Sequence, residues 1–160
     1  MSPLSERERA ALATWRAAGE TVVFTNGVFD LLHRGHVEYL EDAAALGDRL
    51  VIGINTDASV RRLKGPERPI VSASDRAGLL QALACVDLVI PFDEDTPERL
   101  IREVRPDVLA KGADWELEQI VGREFVEAQG GRVERIRVRE GLSTSALVDR
   151  IRRGKSALGP

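Results

Sequence analysis

Two histidines stand three residues apart in His33-Arg-Gly-His36, and they are the only histidines in the 160-residue chain. They follow the apolar run 21–25 and precede a stretch, 37–46, with a helical pattern. Residues three apart share one side of a helical turn, and Gly35 between them lets a ligand approach the backbone closely. A strand, a glycine-bearing loop and a helix start present free N–H groups and a positive helix end to an anion. The segment therefore predicts a phosphate-binding site.

Paired imidazoles can donate hydrogen bonds to phosphoryl oxygens whose negative charge grows in a transition state. A helix N-terminus disfavours the charged imidazolium, whereas a bound polyphosphate favours it, so binding is expected to depend on pH. Two other interpretations stay open from the residues alone, namely surface histidines and a metal-binding pair. Two histidines with no nearby cysteine and no clear carboxylate partner make a poor zinc site, which favours phosphate.

The elements that position this pair follow from hydrophobic periodicity and capping signals. Apolar runs predict strands at 20–25, 49–54, 88–91, 107–110 and 133–138. Helices are predicted at 5–18, 36–46, 57–63, 74–85, 97–104, 117–129 and 143–153, with Thr96 as a cap before Pro97. Short apolar strands that alternate with helices predict an α/β fold, a doubly wound five-stranded parallel sheet with helices on both faces. Ligands are then expected beyond the carboxyl ends of the strands.

Length and composition limit the classes of protein to which this chain can belong. A chain of 160 residues with a net charge of −3 fits one domain, 1–160, and argues against general nucleic-acid binding. It has no apolar run of about 20 residues for a membrane span, and its charged N-terminus is not a secretion signal. The single cysteine, Cys85, excludes an internal disulfide, so a cytoplasmic location is expected. Residues 1–19 are expected to form an N-terminal helix and 154–160 a frayed tail.

The segment 27–36, Gly-Val-Phe-Asp-Leu-Leu-His-Arg-Gly-His, resembles the signature of the HxGH nucleotidyltransferases, in particular the cytidylyltransferase-like group. Ser143-Thr-Ser145 resembles the serine/threonine-rich second motif of that superfamily. Several further segments are similar to D-glycero-β-D-manno-heptose 1-phosphate adenylyltransferases, namely 47–65, 68–70, 92–97, 106–115, 120–122 and 130–131. The resemblance covers about residues 20–150 and implies a single Rossmann-like domain.

The resemblance implies that a sugar 1-phosphate oxygen attacks the α-phosphorus of ATP and that pyrophosphate leaves. It implies Mg²⁺ held by substrate phosphates and water, with no direct protein ligand. Catalytic roles are implied for His33, His36 and Lys64. Nucleotide binding is implied for Asn26, Gly27, Val28, Phe29, Asp30, Gly35, Lys111, Gly112, Ser143, Thr144 and Ser145. Weaker expectations of substrate contact concern Asp57, Arg68, Arg76, Asp114 and Trp115.

Structural alternatives stand beside these roles. Lys64 and Arg68 lie in a charged loop that is either a cationic lid or a solvated surface. The hydroxyls of 143–145 are also a plausible helix cap. Three roles are open for Asp30: to organise the loop after the first strand, to bind magnesium through water, or to contact the ribose. Arg76 either reaches phosphate or forms an ion pair with Asp75 or another neighbour, and Trp115 either stacks on a ring or packs.

The function that the resemblance implies is transfer of AMP from ATP to heptose 1-phosphate, giving ADP-heptose for surface glycans such as lipopolysaccharide core. One competing function is a cytidylyltransferase acting with CTP on glycerol phosphate, a phosphonate or another small acceptor. The other is a non-catalytic nucleotide-binding module. Expected partners are ATP and a sugar 1-phosphate, with neither nucleic acid nor membrane. A homodimer is compatible with the resemblance, and a separate sugar kinase is expected to supply the acceptor.

Overall fold

The computed structural model describes residues 4–138 and 143–154. Within these ranges the strands are Val22–Gly27 (β1), Arg49–Asn55 (β2), Leu88–Phe92 (β3), Val108–Gly112 (β4) and Arg132–Ile136 (β5). The α-helices are Glu6–Ala17 (α1), Arg34–Ala44 (α2), Asp57–Lys64 (α3), Ala73–Gln81 (α4), Glu98–Val104 (α5), Arg123–Ala128 (α6) and Thr144–Arg152 (α7). Apart from Gly154, the tail expected to fray lies outside the described residues.

The five strands form one parallel sheet in the order β3-β2-β1-β4-β5. Two apolar clusters cover its faces. One joins β1, β2, β3 and β4 to α1, α5 and α6 around Phe24, and the other joins the sheet to α2 and α4 around Leu40. Helices on both faces of a five-stranded parallel sheet confirm the predicted doubly wound, Rossmann-like α/β fold. None of the helices in the described part of the chain combines the length and apolar character that a bilayer span requires.

The order of the strands positions the functional edge. From β1 the chain adds β2 and β3 on one side, then crosses over to add β4 and β5 on the other. The strand order therefore reverses between β1 and β4, where the loops that follow the two strands diverge and open a crevice at their carboxyl ends. Asn26 and Gly27 end β1 there, and Lys111 and Gly112 end β4.

Several predicted boundaries differ from the structure. The helix predicted over 36–46 begins two residues earlier, at Arg34, because His33 in extended conformation occupies its N-cap position. Strands β1 and β4 each continue two residues beyond the predicted 25 and 110. His33 is therefore the N-cap of α2, His36 belongs to its first turn, and Lys111 belongs to a strand.

The helix predicted over 117–129 is wrong as a single element. The chain forms a 3-10 turn, Leu117–Gln119, and resumes as α6 only after Gly122. Gly122 has a φ of 86°, and a Cβ there would lie 2.7 Å from a methyl carbon of Ile101. This left-handed glycine packed against Ile101 interrupts the helix. The predicted helix 74–85 is also shorter, because turns replace it after Gln81.

Smaller differences concern the helix caps. The N-cap of α3 is Thr56, whose hydroxyl accepts a hydrogen bond from the Ser59 amide at 3.2 Å. Pro97 occupies the N-cap position of α5 instead of the predicted first helical position.

Candidate functional site

A cavity of about 680 Å³ opens at the crevice between the carboxyl ends of β1 and β4. The loop after β1, the first turn of α2, the end of β4 and the start of α7 all contribute to its walls. Most residues predicted for the site line this one cavity, namely Asn26, Gly27, Val28, Phe29, Asp30, His33, Gly35, His36, Lys64, Arg68, Lys111, Gly112, Asp114, Trp115, Ser143, Thr144 and Ser145. Asp57 and Arg76 do not line it.

The two histidines stack at the start of α2. Their ring centroids are 3.9 Å apart, with an interplanar angle of 22°. The amide of His33 donates to Nδ1 of His36 at 3.4 Å, which leaves the proton of a neutral His36 ring on Nε2. Nδ1 of His33 is buried with no hydrogen-bond partner among the described residues. Two adjacent imidazoles at a helix N-terminus, one with an unused ring nitrogen, suit a polar ligand at this point.

Both rings are biased toward the neutral form. Burial, followed by the charge of neighbouring His33, lowers the pKa of His36 to about 4, although a backbone hydrogen bond at Leu31 raises it in part. Burial also lowers the pKa of His33. Two stacked imidazolium ions would repel each other, so a polyanion must neutralise them before they protonate. Anion binding and proton uptake are therefore coupled here.

Phe29 packs against the histidine pair through His36, and its backbone lies in the left-handed region with a φ of 49°. Its ring meets His36 edge-on, with centroids 5.4 Å apart. A Cβ on Gly27 would lie 2.9 Å from the Phe29 ring, so only glycine accommodates this ring at the end of β1. A non-glycine residue with positive φ carries strain that surrounding contacts must offset.

Lys111 and Asn26 join the two strands at the crevice, since the Lys111 ammonium donates to Oδ1 of Asn26. Burial lowers the pKa of Lys111 to about 8. The ammonium lies 6.0 Å from the ring centroid of Trp115. A Cβ on Gly112 would lie 2.4 Å from Oδ1 of Asp114, so the glycine leaves space for that carboxylate against the strand end.

A second group of cations lies where the loop after α3 meets α7. Lys64, Arg68 and Ser145 together line a hollow of about 520 Å³ next to the main cavity. Ser143 caps α7, because its hydroxyl accepts from the Ala146 amide at 3.1 Å. The cap and a ligand-binding role are compatible, since other N–H groups of the first turn have no partner within the helix. Arg152 and two carboxylates, Glu67 and Asp149, line the same hollow, so three cations, two carboxylates and a helix N-terminus face one space.

The structure corrects the substrate contact expected for Arg76. Its side chain is fully buried, and its four hydrogen bonds go to the carbonyls of Val71, Val28 and Asn55 and to the Asp57 carboxylate. Asp57 also accepts from the Ala73 amide at 2.8 Å. The ion-pair alternative is therefore the one observed, although with Asp57 and not with adjacent Asp75. The pair holds three segments together behind the cavity, so neither member is available to a substrate.

Asp30 organises the loop, the first of its three expected roles. Its buried carboxylate accepts from the amides of Ile70 and Val71 at 2.8 Å each and from Nε of Arg68 at 2.6 Å. These bonds together outweigh the cost of burial and lower the pKa of Asp30. Asp30 lines the cavity, yet its bonds tie the segment after α3 to the loop after β1 and so position Lys64 and Arg68.

Sequence reasoning missed Tyr39. Its hydroxyl lies 2.8 Å from the Thr25 hydroxyl and 3.3 Å from the Ala110 carbonyl, and the side chain lines the cavity. Burial raises the pKa of Tyr39 to about 12, so it stays protonated. The available signal was its spacing, because a residue three after His36 faces the same side of the helix. Asn55, Asp95 and Thr96 also line the cavity without having been assigned a role.

The described residues hold no cluster of three or more histidine, cysteine, aspartate or glutamate side chains arranged for a metal ion. The walls of the cavity carry cations and neutral donors, which are groups for binding phosphate, together with the carboxylates of Asp30, Asp95 and Asp114.

Comparison with known proteins agrees with this arrangement. The cytidylyltransferase-like family pattern matches residues 24–151. The protein "Bifunctional protein HldE" of Magnetococcus marinus is 59% identical over 140 residues, which are 88% of this chain and 29% of that protein. The HldE of Syntrophotalea carbinolica is 55% identical over 148 residues, 92% of this chain and 30% of that protein. The chain thus spans under a third of the length of these relatives.

Two solved structures share the fold. The lipopolysaccharide core biosynthesis protein of Thermoplasma volcanium has a TM-score of 0.63 and 32% identity, over 76% of this chain and 98% of that one. A protein of unknown function from Archaeoglobus fulgidus has a TM-score of 0.58 at 17% identity, over 77% and 94% of the two chains, and shows the fold alone. The family pattern covers most of the chain and includes both histidines and the start of α7, so this chain belongs to the cytidylyltransferase-like family.

Proposed function

We propose that this protein is a nucleotidyltransferase that transfers AMP from ATP to D-glycero-β-D-manno-heptose 1-phosphate. The products are ADP-heptose, a donor for surface glycans such as lipopolysaccharide core, and pyrophosphate. The observation that carries the proposal is the stacked pair His33 and His36 at the start of α2, which faces a cavity lined by Lys64, Arg68 and Lys111.

The chemistry needs no side-chain nucleophile, because the acceptor phosphate already carries a nucleophilic oxygen. That oxygen attacks the α-phosphorus, the bond to the bridging oxygen breaks, and its electron pair leaves with pyrophosphate. Catalysis is then positioning and stabilisation of charge on the phosphoryl oxygens. The imidazoles and the first-turn amides of α2 supply donors at that charge, and such donors act strongly because the protein holds them in place before reaction.

Magnesium fits this site as part of the substrate. The carboxylate of Asp30 is already bonded by two amides and Arg68, and the cavity offers phosphate-binding donors in place of a carboxylate cage. Mg²⁺ held by the triphosphate and water would neutralise phosphate charge and favour the departure of pyrophosphate. Lys64 and Arg68, with the N-terminus of α7, bind the outer phosphates of such a complex.

The choice of acceptor and nucleotide rests on similarity. The heptose-enzyme segments in this chain agree with relatives named HldE at 55–59% identity and with a lipopolysaccharide core biosynthesis protein at 32%. The relatives are named bifunctional and are much longer than the matched region. We therefore place a sugar kinase activity upstream, as the source of the sugar 1-phosphate.

The test is a pyrophosphate-release screen with ATP and CTP against heptose 1-phosphate, other sugar 1-phosphates and glycerol 3-phosphate. We expect the highest kcat/KM with ATP and heptose 1-phosphate, with ADP-heptose identified by mass spectrometry. A preference for CTP and glycerol phosphate would replace the proposal with the cytidylyltransferase alternative. ATP binding with no pyrophosphate release from any pair would indicate a binding module.

A further inference from the structure

Lys111 is a cation at the crevice, and the hydrogen-bond partner that the structure describes for it is a neutral group. An ammonium group has three donors, and the hydrogen bond it makes is to the neutral oxygen of Asn26. Among the salt bridges of residues 4–138 and 143–154, none involves Lys111. Burial alone accounts for its lowered pKa, which agrees with the lack of a carboxylate partner. A partly buried ammonium that faces a cavity in this way favours an anionic ligand.

The order of the strands separates Lys111 from the second group of cations, which includes Lys64 and Arg68. Helix α3, which ends at Lys64, follows β2 on one side of β1, whereas Lys111 ends β4 on the other side. The loop that carries the histidines follows β1, between them. The hollow that Lys64, Arg68 and Ser145 share does not include Lys111. The site therefore has two cationic positions flanking the imidazoles.

Phosphoryl transfer requires the attacking and leaving oxygens roughly in line on opposite sides of the phosphorus. With the α-phosphate at the imidazoles, one flank must receive the departing pyrophosphate and the other the attacking group. Pyrophosphate carries the larger charge, so it matches the flank that has three cations against two carboxylates, together with a helix N-terminus. The Lys111 flank is then left for the acceptor.

We propose that Lys111 binds the phosphate of the acceptor, the sugar 1-phosphate, and positions its oxygen for attack. The inference rests on the proposed function and adds the acceptor subsite to it. The attacking dianion carries no proton, so Lys111 stays protonated while the new P–O bond forms and the bond to pyrophosphate breaks. It orients the nucleophile, and it neutralises part of the repulsion between two phosphates.

The neighbours of Lys111 suit a neutral, hydroxyl-rich body attached to that phosphate. The Asp114 carboxylate lies against Gly112, and Trp115, half exposed, lines the cavity near the ammonium. A carboxylate accepts hydrogen bonds from sugar hydroxyls, and an aromatic face packs against the C–H groups of a sugar ring. Asp114 would repel an acidic sugar, so the ligand class is a neutral sugar phosphate.

Lys111→Met and Lys111→Arg test the proposal, with Lys64→Met as the matched variant on the opposite flank. We expect Lys111→Met to raise the KM for heptose 1-phosphate at least about 10-fold, the scale of a lost charge-assisted hydrogen bond. The Kd for Mg-ATP, measured calorimetrically without acceptor, should stay within about threefold. Lys64→Met should show the reverse, with weaker Mg-ATP binding and a nearly unchanged acceptor KM.

The pH profile of the wild-type enzyme is a second readout, and Lys111→Arg is its control. Because the pKa of Lys111 is about 8, the wild-type acceptor KM should rise above pH 8, and Lys111→Arg should flatten that rise. Loss of Mg-ATP affinity in Lys111→Met with an unchanged acceptor KM would overturn the proposal and assign Lys111 to the nucleotide. Unchanged values for both ligands would also overturn it. A wild-type enzyme inactive on every sugar 1-phosphate would instead reject the proposed function itself.

Discussion

Replacing Arg76 with methionine tests whether this residue is structural or a phosphate ligand. Its guanidinium is fully buried and donates to three backbone carbonyls and one carboxylate at 2.6–3.0 Å. Methionine fills similar space but has no donors, so the acceptors lose their partner. The substitution removes the bonds that join the loop after β1, the end of β2 and the start of α4.

The magnitude follows from the acceptors left unpaired. A buried acceptor without a donor costs about 1–3 kcal/mol. Asp57 keeps its bond from the Ala73 amide, and its side chain is 30% exposed, so water replaces part of what it loses. The three carbonyls then account for about 3–9 kcal/mol, and the lower part of this range agrees with the roughly 3–5 kcal/mol lost when a buried ion pair is broken, which is the loss we expect. For a chain of this size the Tm should fall by roughly 6–20 °C.

The assay is urea unfolding followed by circular dichroism, with Mg-ATP affinity measured below the transition. Arg102→Met is the matched control, because Arg102 pairs with Glu98 in the open, with both side chains about half exposed. That variant should lose less than about 1 kcal/mol. If Arg76→Met retained wild-type stability to within 1 kcal/mol but bound Mg-ATP much more weakly, Arg76 would be a ligand and the structural assignment would be wrong.

The remaining predictions concern the cavity itself. His36→Ala should lower kcat at least about 100-fold, the scale of losing a transition-state donor, while the melting curve stays close to wild type; near-normal pyrophosphate release would remove this imidazole from the mechanism. The pKa of His36 is about 4 in the folded chain, below its unfolded value of about 6.5, so the unfolded state binds the extra proton. Stability should therefore fall as the pH drops from 6.5 toward 4, and His36→Asn should reduce that slope in urea titrations. Gly27→Ala should raise the Kd for Mg-ATP because its Cβ displaces the Phe29 ring, and an unchanged Kd would show that this ring does not shape the site. Gly112→Ala should raise the acceptor KM by moving Asp114, with little change in Mg-ATP affinity; equal losses for both ligands would contradict this.

How well the sequence predicted the fold and the site depends on how far apart in the chain the interacting residues lie. The position of both histidines at a helix start was predictable because their spacing, the turn glycine and the helix start all fall within 25–36. The alternation of strands and helices was predictable for the same reason, since periodicity and caps are local signals. The helix predicted over 117–129 failed because Gly122 packs against Ile101, a contact that the local pattern does not contain.

The role of Arg76 was not predictable from its neighbourhood. Its partners are Val71, Val28, Asn55 and Asp57, which come from three separate segments. A positive charge one turn into a helix is equally compatible with a phosphate ligand and with a buried clamp. Only the position of α4 against β1 and β2 decides between them, because burial and the supply of acceptors depend on how the elements pack.

The sequence by itself determined most of the elements, and it placed two imidazoles at the start of a helix, because both depend on residues a few positions apart. Tertiary structure decided which charges stay free to meet a ligand. The carboxylates of Asp30 and Asp57 are bonded by Arg68 and Arg76, whereas the partner of Lys111 in the described part of the chain is the neutral amide of Asn26. The physical reason is that strand order and burial bring together distant groups, such as Asn26 and Lys111, which are 85 residues apart, and this packing decides which donors of a charged group remain available for binding.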